Sequence, residues 1–430
     1  MKLRALIAVA ATIPLAALAL VGCAPTEHSR ALVNVPADAS LTDAGRLVAP
    51  GGVILIAPGT YAESLQVPVS DVTVRGADRN SVVLDGGLAL ANGIVATGER
   101  AAVENLTVRN YLQNGVLVTG VTDENGAGIA RGPDGYTPDA APPLVPGYLV
   151  QHVTASNNGL YGIYAFNRTE GVIRDNLTTG GSDSGIYVGQ CDVCNAVVQD
   201  NVVTANAVGI ELANASAGLV ITGNRIVGNR IGVSVLSNYL EAHGPSRGVQ
   251  IVGNVIDDNN AERTPVQADG AFGIGIGLGG TRDAEVRANR IQGNRNVGVW
   301  ITSSEDFAPT GNRITGNAFS ADGLGAVVSA APGSEGSGNC FDLGDGIAAQ
   351  PAALAGLSEP GCASSPTPTS PYAQPVAPPG VPFSSVPLPG AAAGLPSVTD
   401  QPTVVPAHVE LPDLTGVVVP PADLLAGVGA

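Results

Sequence analysis

The sequence predicts an all-β solenoid, in which coils of short parallel strands stack on one another, and three observations predict it. A phrase recurs along the chain: an asparagine, an apolar residue two positions on, and after eight or nine residues a glycine that opens an alternating strand. Examples are Asn201-Val202-Val203 with Gly209-Ile210-Glu211-Leu212, and Asn224-Arg225-Ile226 with Gly232-Val233-Ser234-Val235. The repeat asparagines at 176, 201, 224, 254, 289, 312 and 339 give a base period of about 23 residues with insertions, a solenoid period. Runs such as Val-Ser-Val alternate with period two, which makes them strands with one buried face rather than helices. Finally, the 430 residues include 57 glycines and only 13% charged residues, against about a quarter charged in ordinary globular domains. A stack of coils accounts for both, because each coil buries its apolar face on its neighbours.

Taken in order, residues 1–22 read as a secretion signal: a basic start at Lys2 and Arg4, an apolar run, and the ending Leu20-Val21-Gly22-Cys23. That ending resembles the lipobox of bacterial lipoproteins, which implies lipidation of Cys23 and a protein anchored to the outer face of a bacterial membrane by its lipid alone. Residues 23–44 read as a linker and 45–345 as the solenoid. Residues 346–362 read as a C-terminal cap, closed by pairing of Cys340 with Cys362. In an exported chain, Cys191 and Cys194 read as a second structural disulfide. Residues 363–430 hold 15 prolines and no Lys or Arg, the composition of an extended, largely disordered tail. Two insertions interrupt the repeat, at 121–147, with Asp123, Glu124, Asp134 and Asp139, and at 260–271; such insertions map to loops.

Asn-x-Ile followed by Gly-Ile-x-Val is similar to the repeat of right-handed parallel β-helix proteins, the pectate-lyase-like fold. The opening Ala57-Pro58-Gly59-Thr60-Tyr61, with Val72-Thr73-Val74-Arg75-Gly76 and Val82-Val83-Leu84-Asp85-Gly86, resembles its first coils. Residues Gly181 to Gln190 resemble a subgroup of exported repeat proteins related to the copper-accessory protein NosD. The resemblance implies a single-stranded right-handed parallel β-helix. It implies no single activity, because this scaffold hosts lyases, hydrolases, epimerases and non-enzymes. Asparagines at one corner of successive coils, Asn201, Asn224, Asn254, Asn289 and Asn312, are expected to hydrogen-bond as a ladder, with His152 as a substitute at the same corner.

Alternation points the residue after each repeat isoleucine or valine outward. The outward column is read as Leu117, Tyr164, Tyr187, Glu211, Ser234, Gly275 and Trp300, with Phe166, Gly189 and Ala213 two positions on. Tyr164, Phe166, Tyr187 and Trp300 are thus expected as an aromatic face for sugar rings, bordered by Arg168, Asp183, Gln190 and Glu211. Asp183 and Glu211, in neighbouring coils, are the candidate acid and base, and their separation would decide a hydrolase's stereochemistry. The expected partner is a polysaccharide or another cell-envelope component, bound by a monomer with or without turnover. The second reading is a non-catalytic surface scaffold whose contact is the 121–147 loop.

The composition excludes other classes. A net charge of −17 opposes nucleic-acid binding. The single lysine, Lys2, leaves none for a P-loop or Schiff base. Gly275-Ile276-Gly277-Leu278-Gly279-Gly280 opens no helix and so fails as a dinucleotide motif. Copper prefers His, Met or Cys; the one methionine is Met1, and two of four histidines, His28 and His408, lie in flanking segments. No metal or cofactor is expected, and calcium, which cleavage on this fold sometimes uses, has no supporting motif.

Overall fold

The computed structural model describes residues 27–129, 142–267, 270–355, 357, 363–364, 372–392, 395, 398 and 401–428. The signal segment, Cys23, Cys362, Asp134 and Asp139 lie outside the described residues.

The chain forms a right-handed parallel β-helix with three walls. The first wall includes Ile163–Phe166, Ser184–Asp192, the start of Val208–Thr222, Ile231–Leu236, Ile274–Gly279 and Val297–Thr302. Arg168–Arg174, Ala196–Gln199 and Arg247–Val252 belong to the second, and Leu177–Thr179, Val202–Thr204 and Arg225–Val227 to the third. Each strand pairs in parallel with its counterpart one coil away. Inward residues such as Ile186, Ile210, Val233, Ile276 and Val299 form one continuous apolar core running from Val33 to Leu354.

The corner between the second and third walls explains the asparagine repeat. The residue before each corner asparagine adopts a left-handed backbone, with φ of 55° at Asp175 and Asp200, 66° at Gly223 and 71° at Gly253; glycine takes this shape without strain and Asp tolerates it. The asparagine that follows donates across the coil boundary: Asn176 Nδ2 to Asn201 Oδ1, Asn201 to Asn224, Asn224 to Asn254, and Asn254 to Asn289, each at 2.9 Å. Each also satisfies backbone groups that the turn leaves without partners, as when Asn224 Nδ2 reaches Val198 O at 2.9 Å.

Two expectations are corrected here. The ladder continues from Asn289 to Asn317 at 2.9 Å, not to Asn312. Asn312 instead donates to Asn339 at a neighbouring corner, because it precedes the second-wall strand Arg313–Thr315. The coil below Asn176 has Val153 at the ladder position, its N–H donating to Asn176 Oδ1. His152 takes the left-handed position before it, φ 52°, with Nε2 3.8 Å from Asp175. A second ladder that the repeat did not reveal runs through Asn206, Asn229, Asn259 and Asn294 and ends on Asp322.

The solenoid starts earlier than the expected boundary at 45. Arg30–Val35 pairs in parallel with Val48–Ile56, and between them the short helix Leu41–Leu47, N-capped by Ser40, closes the open end with Leu41, Ala44 and Leu47. This protects an edge that would otherwise pair with another chain. At the other end, the turn Ala352–Leu354 inserts buried Leu354. Cys191 and Cys194 are disulfide-bonded and buried. Cys340 is disulfide-bonded as well.

Ala363–Ser364 pairs antiparallel with Cys340–Phe341; the described tail after it is extended, with a short 3-10 turn at Phe383–Ser385. Its proline-rich sequence has no core of its own, and what holds its described parts is the solenoid wall. Arg230 donates to Pro378 and Pro379 carbonyls, Asn157 to Phe383 and Val386, and Arg75 to Val398 and Gln401. Further along, Asn195 donates to Val409, Arg287 to Leu414 and Arg225 to Ala422. The contacts move down the stack and then return.

Candidate functional site

The register places the outward column of the first wall as Leu117, Tyr164, Tyr187, Glu211, Ser234, Gly277 and Trp300. The expected column is met except at one coil, where Gly277 and not Gly275 faces out. Gly275 sits where a Cβ would come within 2.5 Å of Gly298 O, a close approach that requires glycine.

The open aromatic face is corrected more substantially. Tyr164, Tyr187 and Phe166 do point away from the central core, yet all are at most 2% exposed. With Tyr161, Leu117, Val121 and Ala213 they make a second apolar cluster outside the wall, the Tyr164 and Tyr187 rings 4.5 Å apart and nearly perpendicular. Arg168 is buried and donates to the carbonyls of Thr97, Gly98, Thr119 and Gly147, so it anchors backbone around the base of the 121–147 insertion. Gln190 is buried too, donating to Asn167 Oδ1 at 3.1 Å and accepting from Ala242 N at 3.0 Å. Alternation fixes which way these side chains leave the strand; the insertions that cover them follow no period.

What remains open is a cleft of about 420 Å³ at the edge of this cluster, lined by Tyr161, Tyr187, Asp183, Glu211, Asn238, Glu241 and Glu305 among others. Past Glu211 a second cavity of about 210 Å³ continues over Ile231, Ile274 and Gly277 to Trp300. The two share Glu211, Leu236 and Gln267 and form one groove along the stack. Trp300 is half-buried, and its Nε1 donates to Ser329 Oγ at 2.8 Å.

Glu211 is the electrostatic centre. Ser184 Oγ donates to its Oε2, and Asp183 lies within hydrogen-bonding reach. Burial, then the Asp183 charge, push the Glu211 carboxyl well above the ordinary carboxylate range, against the opposing hydrogen bond from Ser184. Burial therefore favours the neutral form of Glu211 beside the Asp183 carboxyl. Tyr187 donates its hydroxyl to Glu241 Oε1, and burial, then the Glu241 charge, raise the phenol well above its usual value. In hydrolases the two carboxyls sit about 5 Å apart or about 6.5–9.5 Å apart with the bond between them; here Asp183 lies within hydrogen-bonding reach of Glu211.

Sequence reasoning did not single out Tyr161, Glu241, Asn238 or Glu305. Asn238 and Glu241 come from the excursion between Ile231–Leu236 and Arg247–Val252. The signal for it was present as the 30-residue step from Asn224 to Asn254.

Fold and groove together define a parallel β-helix protein with a sheltered acidic and aromatic groove on one wall. The family described as periplasmic copper-binding protein (NosD) matches residues 72–261. No curated protein matches the chain. Solved structures similar to it include the mannuronan C-5 epimerase A-module of Azotobacter vinelandii, 16% identical over 66% of this chain and 81% of that one, with a TM-score of 0.44. A pectate lyase is 12% identical over 66% and 72%, TM-score 0.41. A DFA-IIIase from Arthrobacter chlorophenolicus A6 is 15% identical over 75% and 97%, TM-score 0.42.

Copper is in the description of the matched family, and the residues described here do not fit it. Among them no three His, Cys, Asp or Glu side chains gather to hold a metal, and the Cys191–Cys194 sulfurs are bonded to each other. Among the described residues, no helix is long and apolar enough to cross a membrane.

Proposed function

We propose that this is an exported, lipid-anchored β-helix protein that binds a carbohydrate polymer in the groove centred on Glu211. One observation carries the reading: an elongated groove parallel to the stack, with Tyr161 and Tyr187 at one end, Trp300 at the other, and a hydrogen-bonded carboxyl pair between them. Its Trp300 end offers apolar surface for sugar faces, and the carboxyls offer a few convergent polar groups for orientation. Its charge narrows the ligand. Among the described residues Asp183, Glu241 and Glu305 line it beside the Glu211 carboxyl and no Arg, Lys or His does, so a polyuronate would meet like charge while neutral or amino sugars would not.

The test is retention on a panel of chitosan, a neutral glucan, polygalacturonate and alginate. The expected result is retention on chitosan or the glucan, lost in Trp300→Ala. Equal retention on the polyuronates sinks the charge argument. Silence across the panel, with a protein partner recovered by cross-linking, replaces the reading with that of a scaffold. Product release from a retained glycan, abolished in both Glu211→Gln and Asp183→Asn, would add turnover by proton transfer.

A further inference from the structure

The Trp300 end of the groove is covered by the chain's own tail. The Tyr372 ring meets Trp300 edge-on, centroids 5.6 Å apart, its hydroxyl donates to Asn296 Oδ1 at 2.6 Å, and Gln374 lines the cavity above Gly277. A clasp follows a few residues later. The buried Arg230 donates to the Pro378 and Pro379 carbonyls at 2.8 and 3.0 Å and lies 5.4 Å from the centre of the Phe272 ring, while Val381 N donates to Thr264 O at 3.0 Å. Upstream of the clasp the hold is slight. Among the described residues, 372–377 make no backbone hydrogen bond to the stack, and Val376 is 97% exposed. Few buried contacts and no backbone ladder are the marks of a segment that opens locally while its surroundings stay folded.

We propose that residues 372–377 are a gate built into the chain, hinged at the Arg230 clasp, that covers the Trp300 end of the groove and swings away to admit ligand. The gate rests on the reading of the groove as a carbohydrate site. Its cover is independently observable, because Trp300 is the only tryptophan.

The experiment compares the full chain with Tyr372→Ala and with a truncation lacking residues 365–430, reading acrylamide quenching of Trp300 and the dissociation constant of a glucosamine hexasaccharide. The truncation also bares Leu177 and Val202, which the tail covers through Ala392 and Leu395, so Tyr372→Ala, which leaves the strap in place, is the deciding variant. The expected result is a clear rise in quenching and binding tighter by about three- to tenfold, as for a groove open a third to a tenth of the time. Unchanged quenching overturns the gate. Raised quenching with an unchanged dissociation constant also overturns it, and leaves the carbohydrate reading standing. If the hexasaccharide binds neither form while quenching rises, the cover stands and the carbohydrate reading falls.

Discussion

Two rows of side chains rise through the same coils and obey opposite rules. At the corner between the second and third walls, Asn176, Asn201, Asn224, Asn254 and Asn289 repeat one residue, one geometry and one 2.9 Å hydrogen bond. On the first wall the row reads Tyr164, Tyr187, Glu211, Ser234, Gly277, Trp300, and no two neighbours after Tyr187 are alike. The corner row serves the backbone, whose unpaired groups recur identically in every coil. The wall row serves no such repeating need, so its chemistry varies, and the groove lies where it varies most.

The sharpest test of the contrast is Asn224→Ala. It removes the acceptor for Asn201 N and Nδ2 and the donor to Val198 O and Asn254, leaving several buried polar groups unsatisfied. A loss of about 3 kcal/mol or more in urea unfolding is expected, and a loss near zero would dissolve the distinction between the rows. Arg168→Met comes next. If Arg168 holds backbone rather than ligand, the variant loses about 2–3 kcal/mol while the folded fraction keeps its glycan retention; lost retention at unchanged stability would return Arg168 to the binding site.

A smaller effect, of opposite sign, is expected where the second ladder ends. Burial lifts Asp322 from 3.8 to about 6, against the hydrogen bonds it accepts from Asn294. The native chain therefore holds this proton more tightly than the unfolded chain does. The stability this group contributes is full below pH 3.8, declines as pH rises to about 6, and is flat above. Asp322→Asn restores the ladder residue and should gain about 1–3 kcal/mol at pH 7 and almost nothing near pH 4; a gain independent of pH would refute the cause. The same linkage is tested in the groove by Glu211→Gln, which keeps shape and removes the titration. Stability of the parent should fall as pH rises through the elevated Glu211 value, and the variant should lack that fall; parallel pH profiles would mean that Glu211 is charged in the native protein.

The fold was legible because glycine, asparagine and alternation are local signals repeated many times. The direction of each outward side chain was legible for the same reason, and only the coil holding Gly275 and Gly277 was misphased. Two kinds of information were not local. Asn312 and Asn317 lie five residues apart at different corners, and one period cannot tell corners apart once insertions change the spacing. The cover over Tyr164, Arg168 and Gln190 comes from the described ends of the 121–147 insertion and from the excursion at 237–246, whose docking depends on contacts made across coils. The strap was least legible of all: its partners are arginine and asparagine side chains reaching its backbone carbonyls, and any extended sequence supplies carbonyls.

The parallel stack also sets a measure of length. Counterpart residues rise about 4.8 Å per coil, and Tyr187, Glu211, Ser234, Gly277 and Trp300 occupy consecutive coils, so the groove spans about 19 Å. A polymer lying along it advances one sugar ring for roughly each coil. Gain in affinity with oligosaccharide length should then stop at about four units, and adding or removing a whole coil would move that limit by one sugar while leaving every corner hydrogen bond in place.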